Sequence, residues 1–166
     1  MRETFRKIYS RDQQLIKTTR RTFDPDTGTA TASIQVGAAE SRERHWDHVK
    51  DVATPTSLLF VVRDALRNGR KTGSIKLITS EPSMYTLRWV PRGTEQVTVP
   101  AGTFTCVKVE LLVDVGLLRI LRPLLPKLLV WYTADEPFHW IKYEGLEDGI
   151  RSPKIVIERT SRVEDR

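Results

Sequence analysis

The chain is poor in the residues that most often carry chemistry: among 166 residues it has one cysteine, three histidines and no glycine-rich run. A lone Cys106 excludes an intramolecular disulfide and leaves the redox compartment unread. Placed mid-strand, it reads as a small core hydrophobe, with Lys108 the only nearby group able to favour a thiolate. No phosphate-cradling loop is present. No signal-peptide-like segment opens the chain either, since residues 1–10 are polar. The longest apolar tract, Leu111 to Trp131, is interrupted by Asp114, Arg119, Arg122 and Lys127 and broken by Pro123 and Pro126. A membrane-spanning helix needs about 20 mostly uncharged residues, so no such helix is expected there.

With so few candidates, catalysis and metal binding have little to rest on. His45-Trp46-Asp47-His48 brings two imidazoles and a carboxylate together, but no further ligand is spaced nearby in a charged loop, and no metal site or cofactor is expected. Cys106, His139 and Asp135 form the one trio that a hydrolase could use, yet no nucleophile elbow surrounds Cys106. No catalytic residue is assigned.

The net charge of +6 is concentrated at the ends. Residues 1–23 carry seven basic side chains against Glu3 and Asp12. A nucleic-acid surface needs such cations on one face with aromatics among them. Arg2, Arg6, Lys7, Arg11, Lys17, Arg20 and Arg21 read instead as solvated strand positions, and nucleic acid is not an expected partner.

Hydrophobic content of 39% and charged content of 29% suit one globular domain spanning residues 1–166. Strands are predicted over 4–10 and 14–23, followed by a turn at Asp24-Pro25-Asp26-Thr27-Gly28. Ala30, Ala32, Ile34 and Val36 then alternate with polar residues as in a half-buried strand. Residues 37–52 read as an irregular surface loop. Over residues 55–68, Thr54 can cap, Pro55 suits the first turn, Leu58, Leu59, Val62, Ala65 and Leu66 recur at helical spacing, and Asn68-Gly69 offers a stop. Further strands are predicted at 74–80, 84–90, 95–99, 103–113, 128–133, 138–143 and 154–162, with Pro91-Arg92-Gly93 and Pro100-Ala101-Gly102 among the turns. Short connections imply antiparallel neighbours. The fold class expected is therefore mainly β (α+β): a curved, half-barrel-like antiparallel meander packed around one amphipathic helix.

Three stretches resemble a known family: residues 53–63 (ATPTSLLFVVR), Val97-Thr98-Val99-Pro100-Ala101-Gly102-Thr103-Phe104 running into 107–110, and Val130-Trp131-Tyr132-Thr133-Ala134-Asp135. Together with Phe23-Asp24-Pro25 they are similar, over roughly residues 20–160, to the bacterial family called domain of unknown function 3108. The resemblance implies an exported protein of the periplasm or cell envelope with a sheet embracing a helix, in outline like the half-barrels that carry lipoproteins. It implies no established reaction. Relative to that family, the chain is expected to lack an early pair of strands and a signal segment, as in a shortened copy, a trimmed chain or a sheet whose edge another chain completes. The family's helix carries an arginine at Arg63, which either pairs with a carboxylate such as Glu110 or meets an anionic headgroup.

Leu117, Leu118, Ile120, Leu121, Leu124, Leu125, Leu128 and Leu129 form a leucine tract with basic residues interspersed. It reads as core or interface, or as a flap over a lipid. The expected function is non-catalytic binding of an apolar or amphiphilic, lipid-like ligand, with Leu59, Phe60, Arg63, Leu117, Leu121, Leu125, Trp131 and Trp140 lining the site. Two other readings stand beside it: a protein-interaction or self-association module using a sheet edge and residues 117–129, and a hydrolase-type enzyme.

Overall fold

The structure, a computed structural model, describes residues 2–9, 11–39, 41–79, 81, 83–114, 127–148 and 152–161. Eleven strands and one helix occur among them. Strands β1 (Arg2–Tyr9), β2 (Leu15–Asp24), β3 (Thr29–Val36) and β4 (Arg42–Trp46) form a four-stranded antiparallel sheet in that order. Strands β5 (Val52–Ala53), β6 (Gly73–Ile78), β7 (Met84–Val99), β8 (Gly102–Asp114), β9 (Leu128–Thr133), β10 (Trp140–Leu146) and β11 (Lys154–Glu158) form a second, curled half-barrel sheet. The mainly antiparallel β class with one helix is as expected, with the meander divided between two sheets and one short parallel pair, β5 with β6.

Local chemistry explains the punctuation. In the β2–β3 turn, the Asp24 carboxylate accepts from the Asp26 N–H at 3.0 Å, and Gly28 takes φ +69. Helix α1 (Pro55–Arg67) opens with a reciprocal capping box. Thr54 Oγ1 accepts from the Ser57 N–H at 3.3 Å, and Ser57 Oγ accepts from the Thr54 N–H at 2.8 Å. It closes with Gly69 at φ +69, whose N–H donates to the Leu66 carbonyl, while the Arg70 N–H reaches the Ala65 carbonyl. That pair of bonds is a Schellman stop.

Leu58, Val62 and Ala65 of α1 pack onto Leu77, Leu87, Trp89, Val109, Leu111, Val130 and Tyr132 of the half-barrel's concave face. Leu59 and Leu66 pack at its margin. The Tyr132 hydroxyl donates to the Leu59 carbonyl at 2.7 Å, tying sheet to helix. The two sheets meet through Ala30, Ala32 and Ile78, with Phe23, Trp46, Val52 and Met84 around them.

Three expectations are corrected. Residues 37–52 are not all loop: β4 pairs with β3 and β5 with β6. The Arg42–Trp46 side chains are mostly exposed and lack apolar alternation, so only backbone pairing reveals that edge strand. Pro91-Arg92-Gly93 is not a turn between strands but a bulge inside β7, because β8 pairs with both halves of it, and Gly93 takes φ +111. The extra residue reverses which face the rest of β7 presents. Val97 and Val99 therefore join Ala101, Cys106, Trp131 and Ile141 in a second cluster away from the helix. Finally, Arg21 is not solvated: it is 7% exposed.

Candidate functional site

A cavity of about 320 Å³ lies where the four-stranded sheet, the first turns of α1 and the concave face of the half-barrel come together. Pro55, Thr56, Leu58 and Leu59 form the helical wall. Leu77, Leu87, Leu111, Val113 and Leu128 form the floor, and Tyr85, Tyr143, Leu146, Ile155 and Ile157 the flanks. The remaining positions are polar: Thr79, Arg6, Arg21, Glu147 and Asp148. A concave, mostly apolar chamber with a few convergent polar groups has the build of a small-molecule site.

The register of the β2–β3 hairpin brings Arg21 there. Arg21 stands opposite Ala32 and Thr19 opposite Ile34, so both share the buried face with Ala30, Ala32 and Ile34. Arg21 Nη2 lies 3.0 and 3.2 Å from the two Asp148 oxygens, with Asp148 8% exposed. Arg6, opposite Thr19 on β1, pairs with Glu147 and approaches Asp148 at 3.9 Å. Burial pulls the Arg21 guanidinium below its ordinary pKa, and the Asp148 carboxylate opposes that pull. Burial, followed by the Asp148 charge, pushes the Tyr143 phenol up to about 12, and its hydroxyl donates to the Leu146 carbonyl at 2.6 Å. Arg21 Nε and Thr19 Oγ1 are buried without a hydrogen-bond partner.

The residues expected to line a site are distributed more widely. Leu59 is in the cavity wall. Phe60 is 64% exposed on the outer face of α1. Arg63 donates from Nε to the Pro137 carbonyl at 3.1 Å, whereas Glu110 is paired with Arg92 at 2.5 Å, so the expected Arg63–Glu110 pair is not formed. Trp140 packs against the helix-side core, its indole N–H without a partner. Leu117, Leu121 and Leu125 lie outside the described residues. Of the tract's last members, Leu128 lines the cavity and Leu129 packs against the second cluster.

Trp131 belongs to that second cluster and to a surface network. Its indole N–H donates to Glu95 at 2.7 Å, and Lys108 and Lys142 lie 5.3 and 5.8 Å from its ring centroid. The bonds from Trp131 and then Lys108 hold the Glu95 carboxyl below the ordinary 4.5. A depressed carboxyl stabilises the fold above its unfolded value, and this contribution is lost as pH falls through the folded value. Because Glu95 is half exposed, the effect on stability is small. We predict that the Trp131 indole N–H resonance shifts with a midpoint below 4.5 in an NMR pH titration, and that Glu95→Gln abolishes that step; a midpoint at or above the ordinary value would contradict the network.

Cys106 is buried, and burial, then the charge of Glu95, pushes its thiol up to about 11. Its Sγ faces the Phe104 carbonyl at 3.6 Å. His45 lies 2.7 Å from Glu43 on exposed β4, and His48 takes φ +56 in the following turn.

Sequence reasoning missed Arg6, Arg21, Glu147 and Asp148. The signal for Arg21 was present in the hairpin: a turn at 24–28 places it across from Ala32, a position already assigned to the apolar face. Comparison of the chain with family models, with curated proteins and with solved structures finds no match, so the site stands on its own chemistry.

Proposed function

We propose that this protein binds an apolar or amphiphilic, lipid-like molecule without transforming it, the bound chain lying between α1 and the concave face of the half-barrel. The observation that carries this reading is the cavity itself, apolar over its floor and flanks and polar at Arg6, Arg21, Glu147 and Asp148. Its volume is at the lower end of the range for small-molecule pockets, about 300–1,000 Å³, which suits one aliphatic chain better than several. The resemblance to the envelope family of unknown function agrees with such a carrier or sensor, and the proposed compartment is the periplasm or cell envelope.

Native mass spectrometry of the purified chain should reveal a co-purifying lipid, and phenylnaphthylamine should gain fluorescence on binding. Leu59→Trp fills the cavity from a wall position and is expected to weaken dye binding by about tenfold or more. Its far-UV circular dichroism should stay unchanged. Dye binding unaffected by Leu59→Trp would place any ligand elsewhere, and absence of binding by the wild-type chain would sink the proposal.

A second reading, an interaction module, is favoured by Tyr9, Leu15, Ile16 and Val36, which are 44–52% exposed near one end of the β1–β2–β3 strands. A concentration-dependent shift in size-exclusion chromatography that Ile16→Asp removes would support it.

A further inference from the structure

The cavity lies between two sheets that do not join at their outer edges. β1 is the last strand of one sheet and β11 the last strand of the other, and among the described residues no backbone hydrogen bond passes between them. Both edges reach the cavity, Arg6 from β1 and Ile155 and Ile157 from β11. Side chains cross the seam instead: Arg6 pairs with Glu147, where β10 turns into β11, and approaches Asp148 at 3.9 Å. This is also where the lining meets water. Ile157 is 43% exposed and the Arg6 and Glu147 side chains are 42% and 33% exposed, whereas Leu87 and Leu111 on the floor are buried.

We propose that the seam between β1 and β11 is the portal through which the ligand enters and that the Arg6–Glu147 pair is its latch, an assignment that rests on the binding function proposed above. An apolar chain passes readily between two strands only where no backbone ladder has to be broken, because a backbone group left unpaired away from water is costly. An ion pair this exposed gives up little on parting, since water solvates both ends. The buried Arg21–Asp148 pair and the buried contact of Ala30 and Ala32 with Ile78 hold the sheets together while the latch is open.

The test is the rate at which phenylnaphthylamine fluorescence rises when the dye is rapidly mixed with the full chain. Arg6→Cys combined with Glu147→Cys, tied by a short bis-maleimide, is expected to take up dye about tenfold or more slowly than the same variant capped with N-ethylmaleimide, which adds bulk to each thiol without closing the seam. Cys106 is buried and its thiol is pushed up to about 11, so it stays unreacted at neutral pH. Arg6→Gln removes the latch at an exposed position that the fold tolerates, and should speed uptake by roughly two- to fivefold, the range an exposed ion pair supplies. The dye is uncharged, so salt acts on the latch rather than on the encounter: added salt should speed uptake by the wild type and not by Arg6→Gln. A tied rate equal to the capped rate, or an Arg6→Gln rate equal to that of the wild type, overturns the inference and leaves the binding reading standing; a dye that never binds overturns both. Entry past the exposed Thr56 at the start of α1 would produce those equal rates.

Discussion

Asp148→Ala is expected to lower the unfolding free energy by about 3–5 kcal/mol, measured by urea denaturation, because it strands the buried Arg21 guanidinium. Arg21 and Asp148 are 8% and 6% exposed as side chains, and the aspartate also stands within 3.9 Å of Arg6. Removing one partner leaves a cation that solvent reaches poorly and that Glu147, already engaged by Arg6, cannot neutralise. Removing both is a different matter. Arg21→Met combined with Asp148→Leu replaces the pair with apolar volume and should stay within about 1–2 kcal/mol of the wild type, on either side of it, since a buried pair repays its desolvation only in part. The double-mutant cycle thus separates the cost of an orphaned charge from the net worth of the pair. A loss below about 1 kcal/mol in Asp148→Ala would mean that water in the cavity solvates Arg21 well enough to make the pair a surface contact.

The helix should answer substitution in a strongly face-dependent way. Val62 is fully buried and Leu58 is 4% exposed, both at the centre of the main core, whereas Phe60 is 64% exposed between them. Val62→Asp is expected to cost more than about 4 kcal/mol and to leave little folded protein, because an unpaired carboxylate would sit among Leu87, Val109 and Val130. Leu58→Ala should cost about 2–5 kcal/mol through the cavity it opens. Leu59→Ala should cost less, since Leu59 is only partly buried at the margin of that core. Phe60→Ser should shift the thermal midpoint little. Comparable losses at positions 60 and 62 would show that α1 does not pack on the half-barrel in this orientation.

What could be read from the sequence were the features set by near neighbours. The Thr54 cap, Pro55 and the Asn68-Gly69 stop bound α1 within a residue of the predicted span, because capping bonds close over three to six residues. The Asp24–Gly28 turn and the alternation of Ala30, Ala32 and Ile34 are local in the same sense. So is the β7–β8 hairpin around Pro100-Ala101-Gly102, where Val99 pairs with Gly102. Pro91-Arg92-Gly93 misled because turn and bulge use the same residue types; the choice between them was made by β8, a strand long enough to pair on both sides of the kink.

The candidate site depended on longer range. Arg21 meets Asp148 across 127 positions of sequence, and Arg6 meets Glu147 across 141. No local pattern distinguishes Arg6, Glu147 or Asp148 from the exposed charged residues around them, and Arg21 is marked only by its hairpin register opposite Ala32. Sequence by itself determined the β class, the single helix, most strand positions and the apolar faces, since hydrogen-bonding turns and side-chain periodicity are properties of short stretches. The tertiary structure alone decided that the strands divide into two sheets and which carboxylate meets the arginine that the hairpin register turns inward. It also decided that the cavity is bordered by the paired charges of Arg6, Arg21, Glu147 and Asp148, because burial of an ion is settled by the distant groups that surround and neutralise it.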